Sequence, residues 1–94
     1  MSEQTYNGWT NYETWCVKLW LDNEQSSSYA MDEMAFRDEE PYRLGQAISE
    51  YVYDSLPDLG SSMWADLLGS ALDAVNWREI AEAYLEDLPD EYED

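Results

Sequence analysis

The sequence predicts an all-α fold, a compact bundle of four to five short helices in a single domain that spans residues 1–94. Apolar residues recur at helical spacing in at least four segments, and capping residues precede several of these segments. No segment of useful length alternates apolar and polar residues as a strand would. Aromatic residues make up 15% of the chain, which provides a core and argues against disorder. Residues 90–94 are predicted to form a frayed acidic tail.

The first helix is predicted to follow an irregular segment, residues 1–10. Thr10 or Asn11 can cap it, and Glu13 would complete a capping box with Thr10. Its predicted buried face is Tyr12, Trp15, Cys16, Leu19 and Trp20, a spacing of 0, 3, 4, 7 and 8.

Residues 25–39 leave two alternatives open. The run Ser26–Ser28 offers a cap, and Met31, Met34 and Ala35 have helical spacing. The polar residues between them make a partly exposed helix and a loop equally compatible with the sequence.

Three more helices are predicted between residues 41 and 88. Pro41 suits the first position of a helix, Ser61 or Ser62 can cap the next one, and Asn76 can cap the last as a box with Glu79. Turn residues 56–60 separate the first two of these helices, and Pro89 ends the last. The three predicted buried faces are Leu44, Ala47, Ile48, Tyr51, Val52 and Leu56; Trp64, Leu67, Leu68, Ala71, Leu72 and Val75; and Trp77, Ile80, Ala81, Tyr84, Leu85 and Leu88.

The tryptophans on apolar stripes (Trp15, Trp64 and Trp77) are predicted to be core residues, and Trp9 is expected to pack over the end of the first helix. The alternative is that an exposed aromatic beside acids serves as an interface anchor. Cys16 is interpreted as a packing residue, and a single cysteine permits no internal disulfide, as is typical of a reducing compartment. No apolar run approaches the roughly 18 residues that a membrane span needs, and no signal peptide is recognisable, so we expect a cytoplasmic protein.

The charge of the chain is strongly negative. Twenty-two Asp and Glu face four Lys and Arg and no His, which gives a formal net charge of -18. A chain with this charge is repelled by nucleic acid and by anionic membranes, so neither is an expected partner. Some acids form rows on predicted helix faces; the first row is Glu79, Glu82, Glu86 and Asp90, and the second set is Glu50, Asp54, Asp58, Asp66 and Asp73.

An enzyme is not expected, because His, the commonest general base, is missing and the acids form no distinctive catalytic pair. We expect no cofactor. No spacing typical of a calcium or zinc site occurs, so weak counterion binding is the favoured interpretation of the acidic clusters.

Two stretches carry a resemblance. Residues 6–15, with Asn11-Tyr12-Glu13-Thr14-Trp15 at their end and continuing to Asn23, resemble the opening of short acidic proteins of phages and mobile elements. Residues 76–81, Asn-Trp-Arg-Glu-Ile-Ala, are similar to a later motif of the same group. The order of acidic and aromatic residues in 44–88 also resembles the helical part of ArdA-type antirestriction proteins. That resemblance implies DNA mimicry, in which acidic side chains stand in for phosphates and no single acid is catalytic.

These features predict a DNA-mimic inhibitor of a bacterial defence system. Its expected partner is a DNA-binding protein or nuclease complex with a basic channel, such as a restriction enzyme or a CRISPR surveillance complex. Eighteen charges correspond to about 30 Å of duplex, close to the diameter expected for a folded chain of this length. A longer footprint would need a homodimer. The alternatives are an acidic adaptor that binds a basic host protein through an aromatic and carboxylate patch, and a halophilic-style domain whose charge has no partner.

Overall fold

The computed structural model describes residues 6–88, which form five α-helices. The helices are α1 (Tyr12–Asn23), α2 (Gln25–Arg37), α3 (Pro41–Asp54), α4 (Met63–Asp73) and α5 (Trp77–Glu86). Among the described residues the only strand-like pairing joins Tyr6 and Trp9. The predicted all-α bundle is therefore confirmed, whereas the predicted acidic tail, residues 90–94, lies outside the described residues.

Three helices begin at caps that the sequence predicts, and α3 begins at the predicted proline after a cap, Glu40, that was not predicted. The side chains of Asn11, Ser62 and Asn76 each accept a hydrogen bond from the backbone N–H three residues later. The carboxylate of Glu40 accepts from two backbone N–H groups at the start of α3, whose first residue is Pro41. These bonds satisfy N–H groups that a helix start otherwise leaves without partners.

The segment between α1 and α3 is a helix, so the loop alternative is wrong. Its serines do not cap it: Glu24 precedes α2 without a side-chain cap, and the Ser27 hydroxyl donates to the carbonyl oxygens of Leu21 (2.7 Å) and Glu24 (3.1 Å). Met31 and Ala35 are completely buried. Burial against the other helices therefore stabilises α2, although its sequence has only a weak apolar stripe.

The core lies between α2, α3 and α5. α3 packs on α5 more extensively than any other pair of helices does, α2 contacts both, and α1 contacts α2 and α5. The largest fully buried apolar side chains are Met31, Leu44, Ile48 and Ile80. The predicted faces of α3 and α5 are thus confirmed.

The predicted buried face of α1 is wrong. Thr14 and Leu21 are the buried residues of this helix, and at 100° per residue they lie almost opposite the predicted stripe. Trp20 is 62% exposed and Tyr12 is 51% exposed, while Cys16 is half-buried. The reason is tertiary: α1 turns Thr14 inward to meet the start of α5, and the aromatic rings of the other face pack on one another instead of on the core.

Residues 6–9, which were predicted to be irregular, form a tight turn over that aromatic face. Tyr6 and Trp9 exchange two backbone hydrogen bonds of 2.8 Å, and Asn7 and Gly8 have positive φ values of 50° and 88°. The Tyr6 ring lies 5.0 Å from the ring of Trp15, measured between centroids. Trp9 packs on the core, as predicted.

The predicted core positions at the start of α4 are also wrong. Trp64 is 63% exposed and Leu67 is 57% exposed, whereas Leu72 near the end of α4 is buried. α4 has the least contact with the other helices, because only its second half and Val75 reach the core. More of its surface is apolar than its neighbours can cover.

Candidate functional site

The first of the two sequence motifs forms a polar junction between α1 and α5. The Asn11 side-chain oxygen accepts hydrogen bonds from the backbone N–H (2.9 Å) and the hydroxyl (2.6 Å) of Thr14. The same hydroxyl oxygen accepts from the backbone N–H of Asn76 (2.9 Å), and the Asn11 amide donates to the carbonyl of Ala74 (2.7 Å). The start of α1 is therefore bonded to the corner between α4 and α5.

The second motif completes this junction from the other side. The Asn76 side-chain oxygen accepts from the backbone N–H of Glu79 (3.1 Å), and its amide donates to the hydroxyl of Thr10 (3.3 Å). A Glu79 carboxylate oxygen accepts from the backbone N–H of Thr10 (3.1 Å). The predicted capping box placed the Glu79 carboxylate at the backbone N–H of Asn76. In the structure the carboxylate binds the start of α1 instead. Both motifs are accounted for by the fold, because each caps one helix and ties it to the other.

All four basic side chains are paired with acids close to them in the sequence. Three pairs lie four residues apart on one helix, and the Arg43 guanidinium binds both carboxylate oxygens of Asp38. The pairs are Lys18 with Asp22 (2.6 Å), Arg37 with Glu33 (2.8 Å), Arg43 with Asp38 (2.9 Å) and Arg78 with Glu82 (3.1 Å). No cation is left unpaired to balance the acids elsewhere on the described surface.

Arg43 forms the most elaborate of these ion pairs. Its guanidinium lowers the pKa of Asp38, and the backbone N–H groups of Tyr42 and Arg43 lower the pKa of Glu40. Both carboxylates are exposed enough for solvent to screen them, so these pairs stabilise the start of α3 only slightly.

One partly buried group has a strongly perturbed pKa. The Tyr84 hydroxyl donates to Asp22 (2.6 Å), and the Lys18 ammonium lies 4.5 Å from the centre of the Tyr84 ring. Burial and the bond to Asp22 raise the pKa of Tyr84. This cluster joins α1 to α5, so it is explained by packing and does not provide a nucleophile.

Two acids of the first predicted row bind other groups of the same protein. Glu79 belongs to the junction between α1 and α5, and Glu82 binds Arg78. Glu86 is exposed. Asp90 lies outside the described residues. Of the described acids in this row, Glu86 belongs neither to the junction nor to one of the ion pairs named above.

The second predicted set of acids is exposed and makes fewer contacts within the protein. Glu50 and Asp54 lie on α3, Asp66 and Asp73 lie on α4, and all four are exposed. The fifth member, Asp58, lies in the connecting turn, where its carboxylate accepts from the backbone N–H of Gly60 (3.1 Å). Within residues 6–88, none of the five has a basic side chain within 4 Å. Residues 44–77 contain these five acids and no Lys or Arg.

The shape of the molecule changes one expectation about charge density. The principal extents are 49 × 37 × 22 Å, and the radius of gyration is 14.2 Å. A duplex 49 Å long carries about 29 charges. The protein's charge per length is therefore lower than that of DNA, and the predicted equality is wrong.

Cavities lie on the described surface. One, of about 690 Å³, lies between α3 and the start of α5, and its lining includes Glu50, Trp77 and Arg78. Another, of about 370 Å³, is an apolar groove between α1 and α3 that includes Trp20, Tyr51 and Val52.

Within residues 6–88 no group of three or more Cys, Asp and Glu is placed to hold a metal ion. In the same residues no helix has the length and apolar character to cross a membrane.

α4 carries an exposed apolar surface that was not predicted from the sequence. Met63 is 61% exposed beside the exposed Trp64 and Leu67, so three large apolar side chains face solvent within two turns. A signal was present: apolar and small residues cover much more of the α4 circumference than a single buried stripe needs.

A family model, DUF7249, described as a family of unknown function, matches residues 2–94 of the chain. No curated protein and no solved structure matches it.

Proposed function

Because the chain belongs to DUF7249, a family of unknown function, we propose its function from its own surface: it inhibits a bacterial defence enzyme by occupying that enzyme's basic DNA-binding channel. The observation that carries this proposal is the stretch of residues 44–77. It presents five carboxylates without a basic side chain, while all four basic side chains of the chain are paired elsewhere.

The spacing of these acids suits a channel lined with Arg and Lys. Glu50 and Asp54 are one turn apart, a rise of about 6 Å, and Asp66 and Asp73 are two turns apart, a rise of about 10 Å. A carboxylate resembles a phosphate oxygen as a hydrogen-bond acceptor, and Arg binds both in a bidentate manner. Held on helices, these carboxylates need little reorganisation on binding.

The electrostatic field favours the same kind of partner. A surface of one sign accelerates encounter with a surface of the opposite sign, and added salt weakens this effect. The charge density is lower than that of DNA, so we propose that the protein covers part of a DNA channel rather than its whole length.

The test is capture of partners from a bacterial lysate on the immobilised protein, with duplex DNA as the competitor. We expect capture of a DNA-binding defence enzyme that duplex DNA or moderate salt displaces. Neutralising four unpaired acids together (Glu50→Gln, Asp54→Asn, Asp66→Asn and Asp73→Asn) should weaken binding of that enzyme at least about tenfold, because several charge contacts are lost at once.

A matched control removes the same number of charges from elsewhere. Glu24→Gln, Asp32→Asn, Glu39→Gln and Asp87→Asn also neutralise four exposed acids that make no ion pair. We expect this variant to bind nearly as well as the wild type. Equal weakening by both variants would mean that only total charge matters, and no weakening by either would rule out mimicry by these acids.

An acidic adaptor that binds a basic host protein is the second candidate, favoured by exposed apolar side chains and exposed acids on the same helix, where Met63 lies one turn from Asp66. It predicts a captured partner that duplex DNA does not displace.

A further inference from the structure

The exposed side chains Met63, Trp64 and Leu67 form one surface, which we name the α4 patch. Met63 and Leu67 are four residues apart, and Trp64 and Leu67 are three apart, so each pair is adjacent on the helix surface. Single exposed apolar residues are ordinary on protein surfaces, but three large ones in contact mark an interaction site more often.

The fold explains why this patch is not covered. The turn of residues 56–60 packs against the opposite side of α4, along Ala65, Leu68 and Gly69, with a cavity of about 310 Å³ between them. Leu72 and Val75 fix the other end of the helix to the core. No described segment reaches the face that carries the α4 patch.

Two acids lie along one side of the α4 patch, the side of Met63. Asp66 follows Met63 by three residues, which places the two side chains next to each other, and Asp73 lies two turns further along the same side as Asp66. Both acids are exposed and have no cation within 4 Å.

We propose that the α4 patch docks into an apolar pocket on the basic face of the target protein, with Trp64 as its largest anchor. This inference rests on the proposed function for the charge of the partner. The partner surface that covers the patch is cationic, because the acids along the Met63 side of the patch need a positive counterpart. A second copy would bring like charges together, since residues 44–77 contain no basic side chain. Buried tryptophans surrounded by polar rims are the commonest anchors of such interfaces.

The test uses two synthetic peptides of equal positive charge. One has a helical Leu stripe between its Lys residues, and the other has Ala in place of every Leu. We expect the wild-type protein to bind the Lys–Leu peptide about fivefold or more tightly than the Lys–Ala peptide, measured by the fluorescence anisotropy of labelled peptide at fixed salt.

The variant Trp64→Gln with Leu67→Gln should remove this preference and leave Lys–Ala binding unchanged. Gln is a good helix former, so α4 should persist, and circular dichroism checks this. The matched control, Trp20→Gln with Tyr29→Gln, removes two aromatics that are 62% and 65% exposed on other helices and should keep the preference. Loss of the preference in the control, or its survival in the α4 variant, would overturn the proposal.

The two proposals fail separately. If lysate capture gives no partner that DNA displaces, the proposed function fails. The peptide comparison would then still decide whether the α4 patch binds cationic apolar surfaces. The other informative result is a partner that duplex DNA displaces and that binds the Trp64→Gln, Leu67→Gln variant as tightly as it binds the wild type. That result would support the proposed function and would overturn the proposal that Trp64 anchors the partner.

Discussion

At the scale of single residues, Thr14 connects the two sequence motifs. Its side chain is completely buried, and its hydroxyl both donates to Asn11 and accepts from the backbone N–H of Asn76. Removal of this hydroxyl therefore takes away two hydrogen bonds at once in a partly buried junction, each of which contributes about 1 kcal/mol.

We therefore expect Thr14→Val to lower the free energy of unfolding by about 2–3 kcal/mol, measured by urea denaturation. The control is Thr10→Val, the same chemical change at an exposed hydroxyl whose bond to Asn76 is longer, at 3.3 Å. It should cost less than about 1 kcal/mol. Equal losses in the two variants would show that the buried junction does not have the importance argued for it.

At the scale of helices, the contact between α3 and α5 depends on the lack of a side chain at Gly45. A Cβ atom there would lie 3.1 Å from the backbone carbon and oxygen of Trp77 and 3.2 Å from the nitrogen of Arg78. These are backbone atoms at the start of α5, where Asn76 holds the chain in place. The helices would have to separate slightly to admit a methyl group.

Two glycine-to-alanine changes should therefore have opposite effects on the free energy of unfolding. Gly45→Ala should destabilise the protein by about 1 kcal/mol or more, because steric strain outweighs the gain in helix propensity. Gly69→Ala on α4 meets nothing within 4 Å and should stabilise it by about 0.5–1 kcal/mol. Thermal unfolding of both variants gives the comparison, and stabilisation by Gly45→Ala would contradict the close packing of α3 on α5.

At the scale of the whole molecule, the net charge opposes the folded state. The unpaired acids repel one another across the surface, and the ion pairs of the four basic side chains are local, so they relieve little of this repulsion. Screening by salt reduces it over distances beyond the Debye length, about 10 Å at 0.1 M.

We expect the melting temperature to rise by about 5 °C or more between low salt and roughly 0.3 M NaCl and then to level off, because screening saturates. Calorimetry at several NaCl concentrations measures this. A melting temperature that keeps rising into molar salt would favour the halophilic-style alternative instead. A melting temperature that does not change with salt would show that charge repulsion destabilises the folded protein only slightly.

Much of the fold follows from local sequence. The caps at Asn11, Ser62 and Asn76 and the proline at the start of α3 are local signals, and the structure has helices at each of them. The stripes of α3 and α5 identified the core because each helix has one clear apolar face. For the candidate site, the acids can be identified from the sequence, but which of them bind other groups of the same protein cannot. Glu79 and Glu82 look like Glu86 in the sequence, yet the first accepts from a distant backbone N–H and the second binds Arg78.

Most helix positions and the excess of negative charge follow from the chain's local sequence and composition, because helix caps and periodicity depend on residues close together in the chain. The buried face of α1 depends on tertiary packing, because α1 has two candidate faces and the bond from Asn76 to Thr14 selects the less apolar one. Tertiary packing also makes residues 25–37 helical and leaves Trp64 exposed. Burial depends on how much surface the neighbouring helices can cover, and that is a property of the assembled bundle rather than of any one segment.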